Sequence, residues 1–231
     1  LGVNYYDTAR MYTNSEERIG KALEEVRENV YFASKSQQRK AEGIKKEYAI
    51  TINNLRTDYI DVYQLHNIST EDEWVQVQES GGALEGVYDL KEQEKINHIS
   101  VTSHSPELAV EMIKSMHFST IMIPYNYFQP DPADILLPLC QKMDIGTIIM
   151  KPFGGGAITE YSTALKYVYS NPEVDIVIPG VGSISELEEN YAVWQSDWKL
   201  TGAELGVIKN DDLLHGTKFR KKRKDAFPKY Y

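Results

Sequence analysis

Seven short runs rich in β-branched and aromatic residues recur along the chain, and helical patterns rather than hairpin turns lie between them. The runs are GVNYYD, VYFASKS, YIDVYQLHN, HISVTSH, TIMIPYN, GTIIMKP and DIVIPGV. The intervening patterns are SEERIGKALEEV, AEGIKKEYAITINNL, ALEGVYDLKEQEK, PELAVEMIKS, ADILLPLCQKM, STALKYVYS and SELEENYAVW. Strands that alternate with helices pair in parallel, because a crossover is needed to return the chain to the same end of the sheet. In the first helical run Ile19, Leu23 and Val26 mark one apolar face, and Asn14 or Ser15 is expected to cap its start. Order alone leaves two closures open, a doubly wound sheet or a barrel. No strand runs into the glycine fingerprint of a Rossmann half, so a nucleotide on this chain has to be held some other way.

Length and charge narrow the partners. At 231 residues the chain makes one large α/β domain or two small ones with a substantial core. A formal net charge of -9 argues against nucleic-acid binding through a broad basic surface. The basic run KFRKKRKD is local and reads as a solvated tail, with neither nucleic acid nor membrane as a partner. The single cysteine, Cys140, excludes an intramolecular disulfide and an all-cysteine metal site, and within DILLPLCQKM it reads as core. No metal site is expected. No apolar segment approaches a membrane span and no signal pattern opens the chain, so the expectation is a soluble, cytoplasmic protein.

In a parallel barrel, the polar residues at the C-terminal ends of successive strands converge on one mouth. Here they are Asp7 and Tyr12 after the first strand, Lys35 at the second, His66 at the third, then Thr102, Ser103 and His104 at the fourth. Singly, Lys35 reads as a surface lysine and His66 as a satisfied strand-end histidine. Together they form a coherent set. A tyrosine with a pKa of about 10 is a poor acid near neutrality unless a cation stabilises its phenolate. Lys35 is expected to supply that cation, Asp7 to hold Lys35, and His66 to orient a carbonyl oxygen that Tyr12 protonates. The reaction such a set suits is hydride addition to a carbonyl.

These residues resemble the aldo-keto reductases. YDTARMY is similar to that family's Asp-Thr-Ala-x-x-Tyr motif, FASKS to its strand-end lysine, and DVYQLHN to its Asp-x-Tyr-x-x-His strand. The resemblance continues through GGALEGVYDLKEQEKINHISVTSH, MKPFGGG and VIPGVGSISELEEN, essentially the whole chain. It implies a parallel (β/α) TIM-type barrel and reduction of an aldehyde or ketone by NADH or NADPH, with Tyr12 as proton donor and Asp7, Lys35 and His66 completing the tetrad. It also implies Thr102 and Ser103 by the carboxamide, and Phe153, Gly154, Gly155 and Gly156 near the pyrophosphate. Lys151, Gly180 and Ser183 are further cofactor contacts on this pattern, with Glu189 and Asn190 near the adenine. Substrate contacts would come from Tyr5, Tyr6, Met11, Trp74 and Tyr127, with Tyr125 or Met150 as candidates for the nicotinamide face.

The departures from the family pattern are informative. Gly180 and Glu186 stand where NADPH-preferring members often carry a lysine and an arginine, and a carboxylate facing a 2'-phosphate is repulsive, which favours NADH, while hydrogen bonds from Ser183 and Ser185 keep NADPH open. Met122 replaces a glutamine that many relatives set against the carboxamide. The tail GTKFRKKRKDAFPKYY is similar to the start of a ferredoxin-like extension, with Phe219 and Pro228 in register. Its cysteine positions are held by Arg220, Arg223, Ala226 and Lys229, so no iron-sulfur cluster is expected. Seven units rather than eight imply an incomplete barrel over residues 1–200, with a basic tail over 201–231. The open edges leave an oligomer, a smaller closed barrel or a truncated form of weakened activity as alternatives. Beside the enzyme stand two other readings, a non-catalytic nucleotide-binding or regulatory protein and an inactive remnant.

Overall fold

The computed structural model describes residues 1–226, with side chains described through Lys222. Each of the seven runs forms a strand: β1 (Tyr5–Asp7), β2 (Tyr31–Ser36), β3 (Ile60–Leu65), β4 (Ile96–Thr102), β5 (Thr120–Pro124), β6 (Gly146–Met150) and β7 (Ile176–Ile178). The sheet keeps them in chain order, β1 to β7. Between and after them run helices α1 (Ser15–Leu23), α2 (Ala41–Leu55), α3 (Glu71–Gln78), α4 (Ala83–Glu92), α5 (Pro106–Lys114), α6 (Leu136–Lys142), α7 (Tyr161–Tyr169), α8 (Ile184–Trp194), α9 (Gly202–Asp211) and α10 (Thr217–Ala226). Two compact units emerge, residues 1–103 with 111–121, and residues 104–110 with 122 onward.

In the first unit β1, β2, β3 and β4 pair in parallel, with Asp7 beside Ala33 and Lys35 beside Gln64. All six residues of β3 are buried, as expected of a parallel strand covered on both faces. Glycine sets how closely the helices approach. A Cβ at Gly20 in α1 would lie 2.3 Å from the Asn54 carbonyl oxygen, and one at Gly86 in α4 would lie 2.8 Å from the Cα of Ala41 in α2. Ile44, Tyr48, Leu55, Val87 and Leu90 fill the layer those contacts close. The apolar face expected of the first helix ends early. A 3-10 turn over Glu24–Asn29 breaks the α-helical spacing at Val26, which is exposed, and buries Arg27 instead. Arg27 stacks 4.5 Å from the Phe32 ring and 4.1 Å from the Tyr59 ring, and donates to Asp61 at 2.8 Å. Asn14 stands at the N-cap of α1 without a side-chain capping bond.

In the second unit β6 and β7 pair in parallel from Ile148–Ile176 to Met150–Ile178. Thr147 is tied to the start of β7 by its amide, which donates to Asp175 at 2.7 Å. Cys140 is buried in α6, where desolvation pushes its thiol up to about 12 and keeps it inert. The basic tail is helical up to Ala226, and its Phe219 packs with Tyr127, Phe128, Ile158 and Ala164. Arg220 donates to the Phe128 carbonyl at 3.1 Å and pairs with Asp212 at 2.6 Å. Pro228 and Lys229 lie outside the described residues. Among the described residues no helix is long and apolar enough to cross a membrane.

Candidate active site

The four residues expected to form the tetrad, Asp7, Tyr12, Lys35 and His66, all belong to the first unit and come from three adjacent strand ends. Because side chains alternate across a strand, the β1–β2–β3 register brings Asp7, Lys35 and Gln64 to one face and sends Ser34 and Ser36 to the other. The Lys35 ammonium is buried; it pairs with Asp7 Oδ2 and donates to the Thr8 carbonyl at 2.7 Å. Gln64 donates its amide to Asp7 Oδ1 at 2.8 Å, so both oxygens of the carboxylate are engaged. Sequence reasoning missed Gln64. Its signal was its place two residues before His66, on the same face of β3.

Tyr12 sits on the arch between β1 and α1, 43% exposed, with its amide bonded to the Ala9 carbonyl at 2.9 Å. Its ring meets His66 edge to face at a centroid distance of 6.0 Å, and Lys35 Nζ lies 5.2 Å from its centroid. His66 follows β3 directly. Its amide donates to the Ser36 carbonyl at 2.8 Å, while Arg39 reaches the His66 and Asn67 carbonyls at 3.1 and 3.0 Å. Thr102 Oγ1 accepts the Asn67 amide at 2.7 Å, and the Ser103 and Ser69 hydroxyls are 3.4 Å apart. Thr102 and Ser103 thus brace the His66 turn, as does Arg39, a residue the sequence did not single out.

The electrostatics depart from expectation in one respect. Burial raises the Tyr12 phenol above the ordinary tyrosine value, and the Asp7 carboxylate adds to the effect. Burial likewise raises Asp7, against the pull of Lys35 and Gln64, and lowers Lys35 against the pull of Asp7. Desolvation is the first cause of all three shifts. The phenol therefore stays protonated through neutral pH.

The second unit carries the remaining candidates. After β6, Lys151 at φ 55° and Gly154, Gly155 and Gly156 at 58°, 67° and 88° are left-handed, a conformation that the three glycines adopt without strain. A Cβ at Gly155 or Gly156 would meet nothing within 4 Å, so that stretch of backbone is open to approach. Phe153 packs edge to face on Tyr161 at 5.1 Å, and the Lys151 amine lies 3.5 Å from His104 Nε2. Ser183 caps α8 by accepting the Glu186 amide at 3.2 Å, and Glu186 accepts the Gly182 amide at 2.7 Å. Ser185 donates to Glu189 at 3.2 Å. Gly180 is exposed, Asn190 is half-buried and Met122 is buried in β5.

Of the expected substrate contacts, Met11 is the most exposed, at 55%, one residue before Tyr12. Trp74 is buried in α3 against Phe118 at 5.9 Å, Tyr6 packs on Phe32 at 6.5 Å, and Tyr127 donates to Asp211 at 2.5 Å. Tyr125 is buried beside Tyr167 at 5.4 Å. Among the described residues no group of three or more His, Cys, Asp or Glu is placed to hold a metal.

Residues 1–163 match the family model described as the Aldo/keto reductase family. The chain is 27% identical over 263 residues to the uncharacterized oxidoreductase YqkF of Bacillus subtilis (strain 168), covering 91% of this chain and 83% of that protein. Its fold is similar to that of the aldo-keto reductase AKR11C1 from Bacillus halodurans in its holo form, with a TM-score of 0.78 and 24% identity over 91% of this chain and 83% of the other. An aldo-keto reductase from Klebsiella pneumoniae, solved in complex with NADPH, matches with a TM-score of 0.75 and 23% identity over 92% and 80%. These likenesses show the TIM-type (β/α) barrel fold.

Proposed function

The chain belongs to the aldo/keto reductase family, and on that premise we propose that it reduces an aldehyde or ketone to an alcohol, with Tyr12 giving the proton. The observation that carries this reading is the buried Lys35–Asp7 ion pair next to a half-exposed phenol that also meets His66. A nicotinamide dinucleotide, when bound, supplies the hydride. Tyr12 donates its phenolic proton to the carbonyl oxygen, and His66 orients that oxygen. As negative charge develops on the phenol, the Lys35 ammonium stabilises it, and Asp7 and Gln64 keep the ammonium in place. Fixing the substrate oxygen against Tyr12 removes orientational freedom before the reaction, a large share of such accelerations.

The open backbone at Gly155 and Gly156 fits a pyrophosphate, since no side chain keeps a phosphate away. Lys151, Phe153 and Gly154 to Gly156 would hold it there, with Thr102, Ser103 and Met122 at the carboxamide. Gly180 and Ser183 would serve the ribose, and Glu189 and Asn190 the adenine. NADH is the preferred form in this reading, because Glu186 keeps a carboxylate at the Gly182 amide where a 2'-phosphate would be repelled. The Klebsiella relative is described with NADPH, so both nucleotides belong in the test. The reading includes a cytoplasmic location and a homo-oligomer.

The test is a fluorescence titration with NADH and NADPH, followed by turnover of a panel of small aldehydes and by light scattering for the oligomer. Tyr12→Phe is expected to lower reduction by about 10² to 10⁴-fold, the usual scale for a lost general acid, with dinucleotide affinity unchanged. A mutant that keeps its rate removes Tyr12 from the proposed role. Binding without turnover would instead identify a nucleotide-binding regulatory protein, and no binding by the folded chain an inactive one.

A further inference from the structure

The arch that carries Tyr12 is fastened at both ends by buried charge. At one end stands the Asp7–Lys35 pair. At the other, Glu16 in the first turn of α1 has a side chain only 2% exposed and pairs through Oε2 with the Arg10 guanidinium. Three more donors complete the set: Ser34 Oγ at 2.8 Å and Thr51 Oγ1 at 2.9 Å on Oε1, and Asn54 Nδ2 at 3.1 Å on Oε2. They come from β2 and α2, so Glu16 is held by the rigid layer while Arg10 belongs to the arch itself.

Packing alone gives no reason for a carboxylate there. A buried ion pair is weak evidence for stability, since well-packed apolar side chains of the same volume often serve as well. The pair does, however, fix geometry. Arg10 is gripped twice, by Glu16 through its side chain and by the Lys35 carbonyl through its amide at 2.9 Å. Tyr12 follows two residues later, and its carbonyl accepts the Ser15 amide at 2.8 Å, while Thr8 Oγ1 bonds Ser15 Oγ at 2.8 Å. Met11, 55% exposed, and Tyr12 contribute little burial of their own. Segments with few buried apolar contacts open locally at low cost unless polar anchors hold them.

We infer that Glu16, acting through Arg10, is a positioning residue that holds the Tyr12 arch in the one geometry from which the phenol reaches its acceptor. The inference rests on the reading of Tyr12 as proton donor. It separates two functions within one segment: the Asp7–Lys35 pair sets the electrostatics at the phenol, and the Glu16–Arg10 pair sets where the phenol is.

Glu16→Gln keeps the shape and the hydrogen bonds to Ser34 and Thr51 but removes the charge, and Arg10→Gln removes the same link from the more exposed side. Each is expected to lose amide protection at Arg10, Tyr12 and Ser15 by hydrogen exchange, while the amides of β2 and β3 keep theirs. With an aldehyde and a saturating dinucleotide, kcat is expected to fall by about 10²-fold, the scale of a small misplacement, with KM and dinucleotide Kd unchanged. The double variant should be no worse than the poorer single one, as befits one device. Wild-type protection and kcat in both variants would overturn the inference. So would a loss of protection throughout α1 and β2, which marks a merely structural carboxylate. A wild-type protein without turnover, or a Tyr12→Phe variant at full rate, would overturn the reductase reading instead, and the exchange data would then still decide whether Glu16 holds the arch.

Discussion

Lys35 and Asp7 show how much of a site's behaviour depends on pairing. Each is buried far enough for desolvation to disfavour its charge, and each offsets part of that effect on the other. Removing one partner of such a pair leaves a buried charge uncompensated, so Lys35→Met is expected to cost about 3 kcal/mol or more in urea unfolding at neutral pH. Asp7→Asn combined with Lys35→Met should recover part of that loss. The pH dependence has a definite sign. Without Lys35 the folded-state pKa of Asp7 stands further above its unfolded value, so the penalty applies above that folded value and shrinks as the pH falls through it. The deficit of Lys35→Met against wild type should therefore narrow in acid. The strand-end pattern brought Asp7, Tyr12, Lys35 and His66 forward as candidates, and the fold does bring them together. Gln64 and Glu16 were not legible in the sequence, since Gln64 meets Asp7 from 57 residues away and Glu16 meets Thr51 from 35.

At the scale of elements, two helices escaped the sequence reading, although each begins with a legible capping box. Thr70 and Glu73 cap α3, and Thr201 and Glu204 cap α9, with both reciprocal bonds formed. The basic tail likewise read as solvated chain. Its helix depends on Phe219 reaching Phe128 at 5.3 Å, a contact across 91 positions that no local pattern contains. Glu204 also accepts Lys166 from α7 at 2.8 Å, and this bond with those from Thr201 pulls its carboxyl from 4.5 down to about 2. Because the folded value is the lower one, its contribution is complete above 4.5 and is lost as the pH falls through 2. Hydrogen exchange of the α9 amides should show protection declining across that window in wild type. Glu204→Gln should show weaker protection at neutral pH and no such decline.

For the whole molecule, the decisive test of the proposed reading is linkage between binding and unfolding. A dinucleotide that binds only the folded chain, present at a hundredfold its Kd, should stabilise it by about 2.7 kcal/mol. The thermal midpoint should rise with NADH and rise less with NADPH at equal concentration. A midpoint that moves with neither nucleotide would remove the cofactor from the reading. Alternation of strand and helix was enough, by itself, to determine a parallel sheet, because period and crossover length are local properties of the chain. The strand-end residues, and through them the family, were likewise written locally. What only the tertiary structure decided is which charges meet and how they titrate: that Asp7 pairs with Lys35, and that burial, with the Asp7 carboxylate nearby, raises the Tyr12 phenol rather than lowering it. The same holds for Arg27, buried where Val26 was expected, and for Glu16, gathered by donors from three segments. Burial and Coulomb energy depend on distances between residues remote in sequence, and those distances exist only once the chain has folded.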